Sequence, residues 1–320
     1  MNEHIAAGNI AGLKASRIFF GTAAPPVSTD EETACTLLDG VLASGINTFD
    51  CARSYGKAEN TLGKWLETRQ CRDKVIILSK CGDVKNGVVN VNRQVILNQL
   101  QQSLEALRVD CIDIYLLHRD DPNTPAEEFT DTLNELKHAG KIKVFGASNW
   151  TYQRIQAAND YAASKGLTGF QVSSPNYGLA LQVNDLWGGG CVTISGQENA
   201  DSRAWYIQNQ MPVVAYSSLG RGFFSGRFRA GDYESARRCM DMFAQKGYLC
   251  EENMQRLRRA EELAEKYGVA VPEIAMRYVF STEMNIFAVV STSSIQRLQM
   301  NIKAADSPLL PEEVQYLETA

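Results

Sequence analysis

Gly45-Ile46-Asn47-Thr48-Phe49-Asp50-Cys51-Ala52-Arg53-Ser54-Tyr55-Gly56 begins as a short apolar run, closes on an acid, and turns through a small polar loop that carries a tyrosine. Two later runs close in the same way: Val75-Ile76-Ile77-Leu78-Ser79-Lys80 on a lysine, and Ile112-Asp113-Ile114-Tyr115-Leu116-Leu117-His118 on a histidine. Packing alone does not account for three strand-like runs that each end on an ionisable group. A buried strand usually ends in turn chemistry, and an ionisable group beside it has to be paired or shifted in pKa. The three ends read as parts of one site.

Outward from these runs the rhythm continues. Leu13 to Gly21 reads as the first strand, and the runs ending at Asp50, Lys80 and His118 as the second to fourth. Lys143 to Ala147, Gly169 to Val172, Pro212 to Tyr216 and Asn285 to Val290 follow as the fifth to eighth. Helical patterns lie between them. Thr29-Asp30-Glu31-Glu32 opens one helix with cap residues and acids, and Asn92 to Arg108 carries Val95, Ile96, Leu100, Leu104 and Leu107 on one stripe. Ser173 to Gly196, containing Trp187-Gly188-Gly189-Gly190, and Ser217 to Asp232 read as irregular loops, and long loops in compact domains are usually functional or disordered. Eight β-rich runs alternating with helices, with no break in composition, predict an α/β fold. Residues 1–320 then form a single domain whose parallel sheet closes into a (β/α)8 TIM barrel. Chemistry in such barrels sits at the C-terminal strand ends, where Asp50, Lys80, His118, Asn149, Gln171 and Tyr216 fall.

Bulk properties narrow the function. A chain of 320 residues with 44% hydrophobic and 22% charged content is an ordinary globule, and its net charge of −5 argues against a nucleic-acid binder while leaving room for a local phosphate pocket. No apolar run approaches the roughly 20 residues that span a bilayer. Residues 1–11 lack the basic and apolar regions of a signal peptide, so the expectation is a cytoplasmic protein without membrane contact. Eight scattered cysteines form no Cys-x-x-Cys pair and, with three histidines, offer no zinc spacing, so no metal is expected.

Taken singly, each candidate has an ordinary reading: Asp50 a loop acid, Tyr55 a rim aromatic, Lys80 a snorkelling lysine, His118 a structural histidine. Taken jointly they suit one task. A phenol with a pKa of about 10 is a poor acid near neutrality. A nearby ammonium favours the phenolate and lowers that pKa, and a carboxylate fixes the ammonium. A histidine can orient the same carbonyl oxygen by a hydrogen bond. Such a site serves an oxygen that gains negative charge, and the hydride has to come from a cofactor.

The pattern Gly45-Ile46-Asn47-Thr48-Phe49-Asp50-x4-Tyr55-Gly56-x2-Glu59-x3-Gly63 resembles the signature of the aldo-keto reductase superfamily. Leu78-Ser79-Lys80, His118-Arg119-Asp120, Gly146-Ala147-Ser148-Asn149 and Ala215-Tyr216-Ser217-Ser218-Leu219-Gly220 also match, in family order, from about residue 13 to 317. The resemblance implies a barrel opening with a small N-terminal hairpin, and NAD(P)H-dependent reduction of an aldehyde or ketone. Tyr55 would be the proton donor, Lys80 and Asp50 its tuners, and His118 the substrate orienter. Ser148, Asn149 and Gln171 would meet the nicotinamide carboxamide and Tyr216 would stack on its ring. Gly21, Thr22 and Asp50 would lie by the nicotinamide end, and Ser217, Leu219, Gly222 and Arg227 would cover the pyrophosphate. Ser291, Thr292, Ser294, Arg297 and Asn301 would hold the adenosine end. Here the chain departs from the commonest pattern: Ser291 replaces a Gly or Lys, Ile295 a Pro, and Met300 an acid. Arg297 and the hydroxyls of Thr292 and Ser294 still suit a 2′-phosphate, which favours NADPH over NADH. Monomer is the family default.

For the substrate, Ala24, Arg119, Trp150 and Trp187 are expected to wall the pocket, and Arg53, Arg119 and Arg221 leave room for a polar or sugar-like carbonyl. Two other readings compete. Some relatives are nicotinamide-binding regulatory subunits of membrane channels with little turnover. A Schiff-base lyase at Lys80 would need a lysine of depressed pKa, which the neighbouring Asp50 opposes. A Rossmann domain is disfavoured, because Gly220-Arg221-Gly222 comes too late in the chain and no G-x-G-x-x-G follows the first strand.

Overall fold

The computed structural model describes residues 7–85, 88, 89 and 91–319. Its strands are β1 (Ala7–Ile10), β2 (Leu13–Ser16), β3 (Ile18–Gly21), β4 (Thr48–Asp50), β5 (Ile76–Cys81), β6 (Val84–Lys85), β7 (Val88–Val89), β8 (Ile112–Leu117), β9 (Ile142–Ser148), β10 (Ser173–Ser174), β11 (Val213–Ala215) and β12 (Ile286–Val290). Strands β3, β4, β5, β8, β9, β10, β11 and β12 close into one parallel barrel, with β12 returning to β3. β1 and β2 form the antiparallel N-terminal hairpin, and β6 and β7 a second hairpin after β5. Helices connect the barrel strands, so the protein is a (β/α)8 TIM barrel, as the sequence rhythm predicts. Among the described residues no helix is long and apolar enough to cross a membrane.

Alternation along the strands sorts the core into two layers. Phe19, Ile76, Leu78, Ile114, Leu116, Val144, Val214 and Phe287 fill the barrel interior, closed below by Ile10 and Ala15 of the hairpin. Their neighbours in sequence, among them Phe49, Ile77, Tyr115 and Phe145, face outward into the layer beneath the helices. The same period carries the chemistry. Lys80 continues the interior face of Ile76 and Leu78, and His118 that of Ile114 and Leu116, so both emerge above an apolar plug.

Helix ends follow local chemistry. Asp30 caps Glu31–Ala43, with its carboxylate accepting from the backbone N–H groups of Glu32 and Thr33, and Asn92 caps Arg93–Leu107. Two glycines are dictated by close approach. A Cβ on Gly63 would lie 2.2 Å from the carbonyl oxygen of Ala106, and one on Gly146 1.8 Å from that of Val172.

The structure departs from the sequence reading in three places. The first predicted strand is broken into β2 and β3. The sixth is not Gly169–Val172 but the pair Ser173–Ser174 just beyond it. The supposedly irregular stretches also adjoin short helices, Ala200–Asn209, Tyr233–Cys239 and Met242–Tyr248.

Gly146→Ala should destabilise the fold by at least about 1–3 kcal/mol, because the new methyl meets backbone rather than a movable side chain. A urea titration with an unchanged slope and a lowered midpoint would register it, and an unchanged midpoint would show that β9 has slack.

Candidate active site

Lys80 is 3% exposed at the top of the barrel interior. Its Nζ donates to Asp50 Oδ1 at 2.5 Å, to the Cys51 carbonyl at 2.8 Å and to the Tyr55 hydroxyl at 3.3 Å. A buried ammonium needs such a complete set of acceptors. It stays charged: burial works against the charge, but the Asp50 carboxylate and Tyr55 raise its pKa above the ordinary lysine value. Tyr55 shows the reverse balance. Burial pushes the phenol up to about 12, and Lys80 draws it back only in part. The expected lowering of that pKa is therefore present as a local influence but is outweighed, and the phenol keeps its proton.

The loop that carries Tyr55 is tied to β5. The backbone N–H groups of Cys51 and Arg53 donate to the carbonyls of Leu78 and Lys80 at 2.8 and 3.0 Å. Buried Glu59 holds the Arg53 guanidinium and accepts from Ser79 Oγ at 2.7 Å. The His118 ring meets Tyr55 edge-on, with centroids 5.8 Å apart. Burial takes the His118 pKa down to about 3, opposed by Asp83 and reinforced by the Lys80 and Arg119 cations, so the imidazole is neutral near neutrality. Its Nδ1 lies 3.4 Å from Asp83 Oδ2 yet makes no hydrogen bond.

A cleft of about 1960 Å³ runs from these groups across the mouth of the barrel. Asp50, Tyr55, Lys80 and His118 line one end, with Ala24, Arg119 and Trp187 around them. Ser148, Asn149, Tyr216, Ser217, Leu219, Gly222 and Arg227 line its course, and Ser291, Thr292, Arg297 and Asn301 the far end. Asn149, Ser217 and Arg221 on this path hold left-handed backbone, with φ of 59°, 54° and 50°. Such strain in non-glycine residues clusters where function requires it. Asn149 is firmly placed. Its Oδ1 accepts from the Tyr216 hydroxyl at 2.7 Å and the Val192 N–H at 3.1 Å, and its Nδ2 donates to Ser148 Oγ and the His118 carbonyl. The fit to an extended dinucleotide rests on the volume and lining of this cleft, on exposed Arg297, and on the buried Asn301 Oδ1, which has no hydrogen-bond partner among the described residues.

Several predicted site residues stand back from the cleft. Thr22 Oγ1 donates to the Asp50 carbonyl, Gly21 packs against Ser291, and Ser294 caps the helix Ile295–Ala305; these three support the wall from behind. Two are corrected. Gln171 precedes β10 and its Oε1 faces Lys137 Nζ at 3.5 Å, while Ser174, at the true strand end, lines the cleft. Trp150 is fully buried outside the barrel, stacked on Phe170 at 5.0 Å, with its Nε1 donating to the Arg119 carbonyl. Asp83 had no motif to announce it. Trp187 is held at the rim by Asp185, whose carboxylate accepts from the N–H groups of Trp187, Gly189 and Cys191.

The sequence model of the aldo/keto reductase family matches residues 17–320. The chain is 28% identical to the aldo-keto reductase str7 of Strobilurus tenacellus, over 90% of this chain and 80% of that protein. It is 27% identical to a probable aryl-alcohol dehydrogenase of Saccharomyces cerevisiae, AAD4, over 91% and 88%. It is 28% identical to the aldo-keto reductase YhdN of Bacillus subtilis, over 84% and 78%. With that match and a catalytic-type cluster at the mouth of its barrel, the chain belongs to the aldo/keto reductase family of NAD(P)H-dependent, carbonyl-reducing oxidoreductases.

Proposed function

We propose that the protein reduces an aldehyde or ketone to the alcohol with NADPH as cofactor, and that Tyr55 delivers the proton. The observation that carries this reading is the chain of contacts from Asp50 through Lys80 to the Tyr55 hydroxyl inside a low-dielectric barrel mouth. The reduced nicotinamide, when bound, supplies the hydride. As negative charge grows on the carbonyl oxygen, the neutral phenol gives up its proton, and the phenolate left behind is stabilised by the ammonium at 3.3 Å. The neutral His118 orients the same oxygen. A Schiff base at Lys80 finds no support in a lysine held charged.

The residues that would hold the cofactor are Ser148, Asn149, Ser174, Tyr216, Ser217, Leu219, Gly222 and Arg227, with Ser291, Thr292, Arg297 and Asn301 at the adenosine end. Arg297 is exposed and makes no ion pair among the described residues, which suits a 2′-phosphate. The Saccharomyces cerevisiae relative described above carries an aryl-alcohol dehydrogenase name, and the Trp187 wall gives this pocket an aromatic face.

Three measurements test the reading. Tyr55→Phe should retain NADPH binding, followed by cofactor fluorescence, while turnover falls by about 10²–10⁴-fold; near-wild-type turnover would remove Tyr55 from the chemistry. Arg297→Met should weaken NADPH about 10–100-fold, the size of a lost charge-assisted hydrogen bond, and leave NADH little changed. Equal effects on both cofactors would deny the phosphate contact. The pH dependence has a definite sign: a phenol near pKa 12 is protonated throughout pH 6–9 and His118, near 3, does not titrate there. Reduction should thus be flat across that range, whereas alcohol oxidation, which needs the phenolate, should rise about tenfold per pH unit.

A further inference from the structure

We propose that Arg119 reads a carboxylate on the substrate, so that the preferred carbonyl compounds are aldehyde or keto acids with an apolar or aromatic body. The inference rests on the reductase reading above and adds the substrate class. Arg119 follows His118 directly and lines the same end of the cleft as Tyr55 and Trp187. It is 3% exposed, yet among the described residues only one of its five N–H donors makes a hydrogen bond, from Nη1 to the His118 carbonyl at 3.1 Å. Its Nε is buried with no partner among the described residues. The nearest carboxylate among the described residues is Asp83, at 3.7 Å from Nη2, beyond hydrogen-bond distance and shared with His118. Asp120, next in the chain, is taken by Arg154 at 3.2 Å.

A buried guanidinium left in this condition carries a large desolvation cost that an incoming anion would relieve. Two other cations that line the cleft near Tyr55 and Trp187 are already answered: Lys80 by Asp50 at 2.5 Å, Arg221 by Asp241 at 2.7 Å. Arg119 alone among these three has no carboxylate within hydrogen-bond reach. Its planar fork matches a carboxylate in two parallel bonds. The nearby Asp83 favours a singly charged ligand over a phosphate dianion, which it would repel. Trp187 sets the size of the body: its ring lies 6.0 Å from the Arg119 guanidinium carbon and 5.4 Å from that of Arg221, forming an aromatic wall beside the charge.

The test compares 4-carboxybenzaldehyde with its methyl ester, using NADPH and the full chain as wild type, Arg119→Gln and Arg119→Lys. Wild type should favour the acid by about 10–100-fold in kcat/KM, carried mainly by KM. The acid-to-ester ratio should fall toward one in Arg119→Gln, whatever happens to absolute rates, and Arg119→Lys should keep part of it. A ratio near one in wild type overturns the inference without reference to either variant, as does a preference that survives Arg119→Gln. Calorimetry with the product alcohol, 4-(hydroxymethyl)benzoate, and its methyl ester separates this inference from the reductase reading. If neither aldehyde is turned over, the reductase reading fails. Tighter, Arg119-dependent binding of the acid then still upholds the carboxylate site, and equal or absent binding overturns it.

Discussion

An ammonium at the top of an apolar barrel governs the rest of this site. Below Lys80 the interior is Ile76, Leu78, Ile114 and Leu116, a medium in which an isolated charge would not persist. Asp50 and the Cys51 carbonyl make it tolerable, and both come from the end of β4, the strand paired with β5. Removing either member would leave the other charge buried and uncompensated, which typically costs about 3–5 kcal/mol. The pairing therefore fixes the relation of two strand ends, and the loop that follows β4 carries Tyr55 to the third acceptor position of the same ammonium. Glu59, reaching both Arg53 and Ser79, closes this loop onto β5 from the outer side.

Burial also sets the protonation states, in a direction that charge counting alone would miss. Lys80 pulls the phenol toward ionisation, but the loss of water pushes harder, so Tyr55 remains a donor. The imidazole is likewise neutral, and one of its nitrogens then donates while the other accepts. Because Nδ1 makes no hydrogen bond to Asp83, no contact among the described residues fixes its proton there. A carbonyl oxygen arriving at Nε2 is an acceptor, and it selects the tautomer with Nε2 protonated. In the proposed reaction the substrate would thus complete the histidine as well as the tyrosine.

How much of this could be read in the chain depends on the kind of signal each residue leaves. Asp50, Lys80 and His118 were legible because period-two apolar runs end on them, and the alternation that buries Leu78 and Leu116 places the ionisable ends on the same interior face. The rule is not sufficient by itself. Asp113 lies within one of these runs but serves structure at the other end of β8, bound to Arg72 at 2.8 Å, Lys143 at 2.7 Å and the Ile77 N–H. β10 was illegible because its residues are serines whose hydroxyls mimic turn chemistry: Ser174 Oγ donates to the Val214 carbonyl, and Ser173 Oγ pairs with the Tyr206 hydroxyl. The misplaced strand carried Gln171 into the site and left Ser174 out. Trp150 is misplaced for a related reason, since two residues beyond the end of β9 the direction of a side chain is set by packing, here against Phe170 and Phe129. The short helices Tyr233–Cys239 and Met242–Tyr248 did leave a signal: Asp232 and Asp241 each cap the following turn.

The same electrostatic logic separates what the site does from what it selects. A reductase needs a charge near the phenol, but that charge must be neutralised within the protein, or the resting site would attract any passing anion. Lys80 meets this requirement through Asp50, and it is therefore unavailable to bind substrate. Selection has to fall to a different cation, close enough to feel the same ligand and incompletely paired. In a protein of net charge −5, a buried and incompletely paired guanidinium such as Arg119 is a local exception to the general field. Arg119 follows directly on His118, so in the proposed reading the orienting of the carbonyl and the holding of a distant carboxylate would share one stretch of backbone, and Asn149 Nδ2, bonded to the His118 carbonyl at 3.1 Å, keeps that stretch in register with the rest of the cleft.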